Sequence, residues 1–163
     1  MYRLQRFSVV LVLVAFALAL LSLPQQSSSR APAIPAQQVV DKSVPAFHAE
    51  PPTDALPATM SADNFTDPVV QNAYTVASRV KKVLYQEPCY CHCDRSQGHG
   101  SLLDCFVSKH GSGCDICVRE DLYSYEQTRK GKTPAQIRQG IIRGEWQSVD
   151  VSKYQTPPPA KTK

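Results

Sequence analysis

The residues of this sequence that could do chemistry are its six cysteines, which all lie between positions 89 and 117 of a 163-residue chain. They are Cys89, Cys91, Cys93, Cys105, Cys114 and Cys117. The first three are separated by single residues, and the last two form a Cys-x-x-Cys pair. Sulfur atoms at this spacing can hold a metal ion, exchange electrons or cross-link the fold, so three interpretations are open.

The first interpretation is a metal site. A Cys-x-Cys-x-Cys run on a loop can turn several thiolates towards one point, and a Cys-x-x-Cys pair on a helix presents two more on one face. Thiolates favour soft ions such as Cu(I) and Zn(II) over Mg²⁺ and Ca²⁺. His92, His99 and His110 lie where an imidazole could complete the ligand set. The sequence therefore predicts a soft transition metal, copper or zinc, with ligands drawn from Cys89, Cys91, Cys93, Cys105, Cys114, Cys117 and His99.

The second interpretation is thiol–disulfide exchange by Cys114 and Cys117. At the start of a helix, the dipole and the unpaired amides stabilise a thiolate in such a pair. Two observations oppose this interpretation: the strands of a thioredoxin are missing from the pattern, and Asp115 next to Cys114 disfavours a low thiol pKa. If the protein is an enzyme, this interpretation makes it a thiol oxidoreductase.

The third interpretation is a set of structural disulfides, which is the usual arrangement for an even number of cysteines in a small exported domain. Pairing among Cys89, Cys91 and Cys93 would require a tight, strained ring. Each of these three would therefore pair most easily with one of the three later cysteines, and the spacing does not choose between the possible connectivities.

The first 23 residues have the pattern of an export signal. Arg3 and Arg6 precede an uncharged run at 7–23, which Pro24 ends. This pattern predicts either a cleaved signal peptide or a retained signal anchor, and a retained anchor would make 7–23 the membrane contact of the protein. The cysteine-rich region is then expected outside the cytoplasm, in the periplasm or at the cell surface, either secreted or anchored.

The rest of the chain divides by composition. Residues 24–63 are rich in Pro, Ala, Gln and Ser, and we expect a disordered linker there. Residues 64–151 carry periodic apolar residues without a strand pattern, which predicts a small all-α, cysteine-rich domain with an irregular cysteine loop. Residues 152–163 are rich in Lys and Pro, and we expect a disordered tail.

Four helix starts are predicted within the domain, each at a side chain that can accept a hydrogen bond from the free amides of the first turn. The predicted N-caps are Asp67, Ser101, Ser112 and Thr133. Pro68 and Pro134 directly follow two of them, at the position where a helix tolerates proline. Pro88 is expected to end the first helix and Gly131 the third.

Charge and motif content argue against several kinds of function. Between residues 64 and 151 there are 11 Lys and Arg against 10 Asp and Glu, so no basic stripe indicates nucleic acid as a partner. A carboxylate pair, a nucleophilic serine constellation and a phosphate-binding loop are all missing from the pattern, which leaves hydrolase and nucleotide chemistry unsupported. The expected partner is a metal donor or another protein.

A known family resembles this chain at 88–93, where the sequence reads Pro-Cys-Tyr-Cys-His-Cys. It is the PCYCGC, or CYCXC, family of exported bacterial proteins, some of which are selenoproteins. The resemblance covers about residues 68–146 and includes the stretches 98–99, 101–106, 114–117, 131–134 and 137–138. It implies an extracytoplasmic bacterial protein, and selenocysteine in relatives implies that a chalcogen is reactive or metal-bound. His92 stands where the family pattern has Gly.

Overall fold

In a computed structural model of the chain, residues 43–156 are described, and among them the secondary structure is helical without a strand. The helices are α1 (Pro68–Arg79), α2 (Lys81–Leu84), α3 (Cys93–Ser96), α4 (Asp104–Val107), α5 (Asp115–Arg129) and α6 (Pro134–Ile142). Short 3₁₀ segments lie at Ala62–Asn64, His110–Gly113, Glu145–Ser148 and Val151–Tyr154. The predicted all-α class is confirmed for these residues. The predicted export signal at 1–23 lies outside the described residues.

Helix α5 is the centre of the packing. Helices α1, α2 and α6 and the 3₁₀ segment Glu145–Ser148 all pack against it. The apolar side chains of this core come from every helix, from the cysteine run and from the loop before α4. The largest that are almost fully buried are Tyr74, Leu84, Leu102, Leu103, Phe106, Leu122, Ile137 and Ile141. Within residues 43–156, no helix combines the length and the apolar character needed to cross a membrane.

Two of the predicted helix starts are confirmed in detail. The Asp67 carboxylate accepts hydrogen bonds from the Val69 amide at 2.7 Å and from the Val70 amide at 3.2 Å. Thr133 forms a complete capping box with Gln136, in which each side chain accepts from the other residue's amide. Both motifs satisfy amides that the first turn of a helix leaves free.

The other two starts differ from the prediction. The third predicted helix is α5 in the structure, and it is capped by Cys114 rather than Ser112, because Ser112 lies within the 3₁₀ turn His110–Gly113, where its hydroxyl donates to the Lys109 carbonyl at 2.7 Å. Ser101 begins a turn rather than a helix that runs to residue 109, and only Asp104–Val107 is helical. The predicted first helix also divides at Val80, whose φ of −116° and ψ of 25° are not helical.

Residues 43–63 pack against the domain, so the predicted disordered linker at 24–63 is wrong for this part. The Met60 amide donates to the Phe106 carbonyl at 2.8 Å, and the Lys81 ammonium donates to the Pro57 carbonyl at 3.1 Å. His48 stacks on Tyr85 with 3.9 Å between ring centroids. The composition of this segment suggested that it has too little apolar surface to become ordered by burial. Its few large side chains nevertheless pack at specific places on the domain. Residues 24–42 lie outside the described part.

The start of the predicted tail is also ordered, and the prediction at 152–163 is wrong for residues 152–156. The Asn72 amide group donates to the carbonyls of Tyr154 at 2.9 Å and Thr156 at 2.7 Å. The Tyr154 hydroxyl donates to Glu126 at 3.0 Å. These contacts fix the end of the described chain to α1 and α5.

Three carboxyl groups are fully buried, those of Glu120 and Asp121 on α5 and that of Glu87 just before the cysteine run. Burial raises the pKa of Glu87 to about 9; the charge of Arg138 opposes this shift and the charge of Glu120 adds to it. Burial also raises the pKa of Asp121 well above its usual range. A carboxyl group in such surroundings keeps its proton, since a bare carboxylate away from water is costly.

The free energy of unfolding of the metal-free protein should fall as the pH rises, and we expect the Glu87→Gln substitution to make this fall smaller. The folded carboxyl keeps the proton that the unfolded chain releases above its ordinary pKa of 4.5. The free energy of unfolding therefore falls by about 1.4 kcal/mol per pH unit from this group between the two pKa values, and the amide removes that contribution. Urea unfolding under reductant and chelator at pH 5, 7 and 8.5 measures it, with the exposed Glu50→Gln as control. Equal pH dependence in the wild type and the Glu87 variant would show that the group is not protonated in the fold.

Candidate metal centre

One hydrogen bond fixes the cysteine run to α5, and another fixes the segment just before the run to the loop before α4. The Tyr90 amide donates to the carboxyl group of Glu120 on α5 at 2.9 Å, and this contact holds the residue between Cys89 and Cys91. The Leu102 amide donates to the Glu87 carbonyl at 2.9 Å. The loop that leads to α4 therefore runs directly beside the segment that leads to the cysteine run.

A close backbone approach brings the next loop to the same place. An added Cβ at Gly111 would lie 2.9 Å from the Cys105 carbonyl oxygen and 3.3 Å from the Tyr74 hydroxyl, so only glycine fits there. The Tyr74 hydroxyl also donates to the Ser108 carbonyl at 2.7 Å. The turn at 110–113 is held against Cys105 in this way, and it places His110 beside the sulfur cluster.

Three sulfur atoms form a nearly equilateral triangle. The Sγ of Cys89 lies 3.3 Å from that of Cys91 and 3.4 Å from that of Cys117, and the Sγ atoms of Cys91 and Cys117 are 3.6 Å apart. A disulfide bond is about 2.05 Å long, and all six cysteines are free. Around one Zn²⁺ with Zn–S bonds of about 2.3 Å, tetrahedral sulfurs would be about 3.8 Å apart. The triangle is thus close to the spacing that a shared ion requires.

The second half of the cluster mixes sulfur and nitrogen. The Cys105 Sγ lies 3.4 Å from the Cys93 Sγ and 3.4 Å from the Nδ1 of His99. The rings of His99 and His110 meet edge to face with 4.9 Å between their centroids. The Nε2 of His110 is buried and has no hydrogen-bond partner among the described residues. An imidazole nitrogen in this state is suited to bind a metal ion.

These donors fall into overlapping groups in which every ligand atom lies within 4.8 Å of every other. The groups are Cys89, Cys91, Cys93 and Cys105; Cys91, Cys105, His110 and Cys117; and Cys93, His99, Cys105 and His110. The structure thus brings together six of the seven predicted ligands, all except Cys114. The structure also adds His110 to the donors. The sequence offered this residue only as a possible extra ligand, since no spacing rule places it next to Cys105.

Cys114 has a different position from the other five cysteines. It is the N-cap of α5, and its sulfur accepts a hydrogen bond from the Cys117 amide at 3.5 Å. It belongs to none of the donor groups found among the described residues. Burial is the main cause that raises the pKa of its thiol. A nucleophilic cysteine at a helix start would have a lowered pKa instead.

The crowded thiols shift one another's pKa values in opposite directions. Hydrogen bonding from Cys89 lowers the pKa of Cys91 to about 4, and hydrogen bonding from Cys117 lowers the pKa of Cys105. Hydrogen bonding to Cys105 in turn raises the pKa of both Cys89 and Cys117. These hydrogen bonds favour the thiolate form at Cys91 and Cys105, and the thiols that remain protonated must release their protons when an ion binds.

A family model described as a protein of unknown function with PCYCGC motif matches residues 17–159 of the chain. The chain belongs to the PCYCGC-motif family. No curated protein and no solved structure matches it. The resemblance at 88–93 is thus confirmed, and the motif of the family is the segment that carries three of the clustered sulfurs.

The departure of this chain from the PCYCGC motif has a structural explanation. His92, which replaces the glycine of the motif, has φ 58° and ψ 32°, the left-handed conformation that glycine adopts without strain. It is the only non-glycine residue with a positive φ among the described residues. Its ring packs edge to face with Tyr90 and belongs to no donor group found in this part of the chain. The glycine of the motif is therefore explained by the turn between Cys91 and Cys93.

We expect the His92→Gly substitution to stabilise the protein by about 1 kcal/mol, because glycine removes the cost of the left-handed backbone. Metal content should stay unchanged. The matched control is His92→Ala, which removes the ring but keeps a Cβ in the same conformation. Thermal unfolding and elemental analysis of both variants measure the two effects. Equal stability of the Gly and Ala variants, or loss of metal from either, would contradict this account of His92.

Proposed function

We propose that this protein binds soft transition-metal ions, copper or zinc, through its clustered cysteines and histidines. The observation that carries the proposal is the convergence of five sulfur atoms and two imidazoles from four separate segments of the chain. The sulfur atoms lie 3.3–3.6 Å apart without a disulfide bond, which is close to the spacing of ligands around a shared ion. Thiolate and imidazole donors favour copper and zinc over harder ions.

The burial of the donors supports reversible ion binding. Cys89, Cys93, Cys105 and Cys117 are buried, whereas Cys91, His99 and His110 are half-buried and offer an entry side. An ion that binds here replaces thiol protons, so ion binding is coupled to proton release and depends on pH. We infer that the protein captures, stores or delivers metal, with a metal donor or acceptor as its partner.

The location proposed for this activity is outside the cytoplasm. The charged and apolar pattern at 1–23 is the basis for this, since it is the pattern of an export signal or a retained anchor. Free cysteines in an oxidising compartment would form disulfides, and bound metal would protect them. The site would then act on ions that the cell has not yet taken up or is removing.

Two other functions have less support. Thiol–disulfide exchange by Cys114 and Cys117 needs a thiol with a lowered pKa, and the pKa of Cys114 is raised by burial. A purely structural disulfide set needs defined pairs, but each sulfur of the Cys89, Cys91 and Cys117 triangle is almost equally far from the other two. Metal binding uses the whole cluster and needs neither condition.

We expect Cys105→Ser to reduce metal affinity more than any other single cysteine substitution, because Cys105 belongs to all three donor groups. The loss should exceed the roughly 10–100-fold that removal of a residue supporting a ligand costs. Cys114→Ser should keep full metal content, and serine is also a good N-cap for α5.

The measurement is elemental analysis and competition with a chromophoric chelator, on reduced full-length protein purified without chelator and handled without oxygen. Thiol titration after denaturation serves as the control for oxidation. Wild-type protein that carries neither stoichiometric metal nor high affinity for added zinc or Cu(I) would refute the proposed function. If Cys114→Ser were the only variant to lose metal, the ion would be bound by the Cys-x-x-Cys pair and not by the cluster proposed.

A further inference from the structure

The number of donors in the cluster exceeds what one ion can use. Five cysteines and two histidines meet in the three overlapping groups. A tetrahedral ion takes four ligands, so a single ion would leave three of these donors without a role. Two tetrahedral ions need eight ligand positions, and seven donors supply eight when one thiolate is shared.

The known distances allow one division of the seven donors into two sets of four that uses every donor and keeps the ligand atoms of each set within 4.8 Å of one another. Cys89, Cys91 and Cys117 form the triangle with sides of 3.3–3.6 Å, and each of its sulfurs lies within 4.8 Å of the Cys105 sulfur. These four cysteines make an all-sulfur set. The second set is Cys93, His99, Cys105 and His110, whose ligand atoms also lie within 4.8 Å of one another. The two sets have Cys105 in common and no other member.

We propose that the site holds two metal ions, one in the all-sulfur set and one in the sulfur–imidazole set, with the Cys105 thiolate as a bridge between them. This inference rests on the proposed function, since it specifies how many ions the same cluster binds. Cys105 is fully buried between the two sets, and its Sγ is 3.4 Å from both Cys93 and His99. A thiolate has the lone pairs to bind two ions at once.

Charge favours the second ion. One divalent ion with the four thiolates of the all-sulfur set has a net charge of −2. The second ion adds two positive charges and requires only one further thiolate, that of Cys93, so the net charge becomes −1. The cluster is buried, and a smaller net charge there costs less desolvation.

The unpartnered nitrogen of His110 is explained by the same ion. A buried polar atom without a hydrogen-bond partner is unfavourable by about 1–3 kcal/mol. The Nε2 of His110 is such an atom among the described residues, and His110 belongs to two donor groups, one with Cys91, Cys105 and Cys117 and one with Cys93, His99 and Cys105. Only the second of these groups leaves Cys91 and Cys117 to the all-sulfur set. A metal ion in the sulfur–imidazole set gives the nitrogen a partner, whereas an ion in the all-sulfur set alone does not.

The test uses reduced full-length protein loaded with excess cadmium-113 and freed of loosely bound ion. We expect two cadmium ions per chain and two NMR resonances, the all-sulfur site further downfield than the sulfur–imidazole site. A scalar coupling between the two resonances is expected through the bridging thiolate. His99→Ala/His110→Ala should bind one ion and keep the downfield resonance, while His92→Ala should bind two, because His92 belongs to neither set.

The outcomes separate this inference from the proposed function. One ion per chain in the wild type, unchanged in the double histidine variant, overturns the second site and leaves metal binding intact. Two uncoupled resonances overturn the Cys105 bridge, and no bound ion overturns both proposals. If the double variant does not fold by circular dichroism, the number of resonances from the wild type and from His110→Gln decides the question.

Discussion

The hydrogen bond from the Tyr90 amide to the buried carboxyl group of Glu120 joins the cysteine run to α5, the two parts of the site. The cysteine run lies between α2 and the first residue of α3, whereas Cys117 lies on α5, the longest helix among the described residues. Without a contact between them, the run could turn its sulfurs in any direction. Because Glu120 is almost one helical turn beyond Cys117, the bond brings the run and the helix to the same side of the core. The sulfur triangle follows from this placement.

The core around this hydrogen bond contains buried carboxyl groups, which are rare in protein interiors. Glu87, Glu120 and Asp121 are fully buried, and burial raises the pKa of Glu120 to about 8 although the Tyr90 amide donates to it. A domain of this size has little stability to spare, and groups of this kind lower it. Ion binding to the folded protein adds stability by mass action, and it has no comparable site in the unfolded chain. Under the proposed function, a bound ion would therefore offset part of the cost of these buried groups.

Local chemistry in the sequence was sufficient to predict part of the structure. Asp67 and Thr133 begin helices because each can accept amide hydrogen bonds from the residues that directly follow. The convergence of Cys89, Cys91, Cys93 and Cys117 was also accessible, since closely spaced thiols that pair badly with one another indicate a shared ligand role. Both inferences depend on residues close together in sequence.

Features that depend on distant contacts were not accessible in the same way. Ser112 has the spacing of an N-cap, but its hydroxyl is taken by Lys109 and Cys114 becomes the cap. His110 reaches the cluster because Gly111 fits against the Cys105 carbonyl, which no local pattern reveals. The segment 43–63 docks through a few side chains, such as His48 on Tyr85, that its proline-rich composition conceals.

The central claim is that sulfur and imidazole side chains of this cluster bind metal directly. X-ray absorption at the zinc edge of the loaded, full-length protein measures the bound atoms themselves. The account predicts a shell dominated by sulfur at about 2.3 Å, averaging about three sulfurs and one nitrogen per zinc when both sets are filled. A shell of oxygen and nitrogen atoms without sulfur would contradict it.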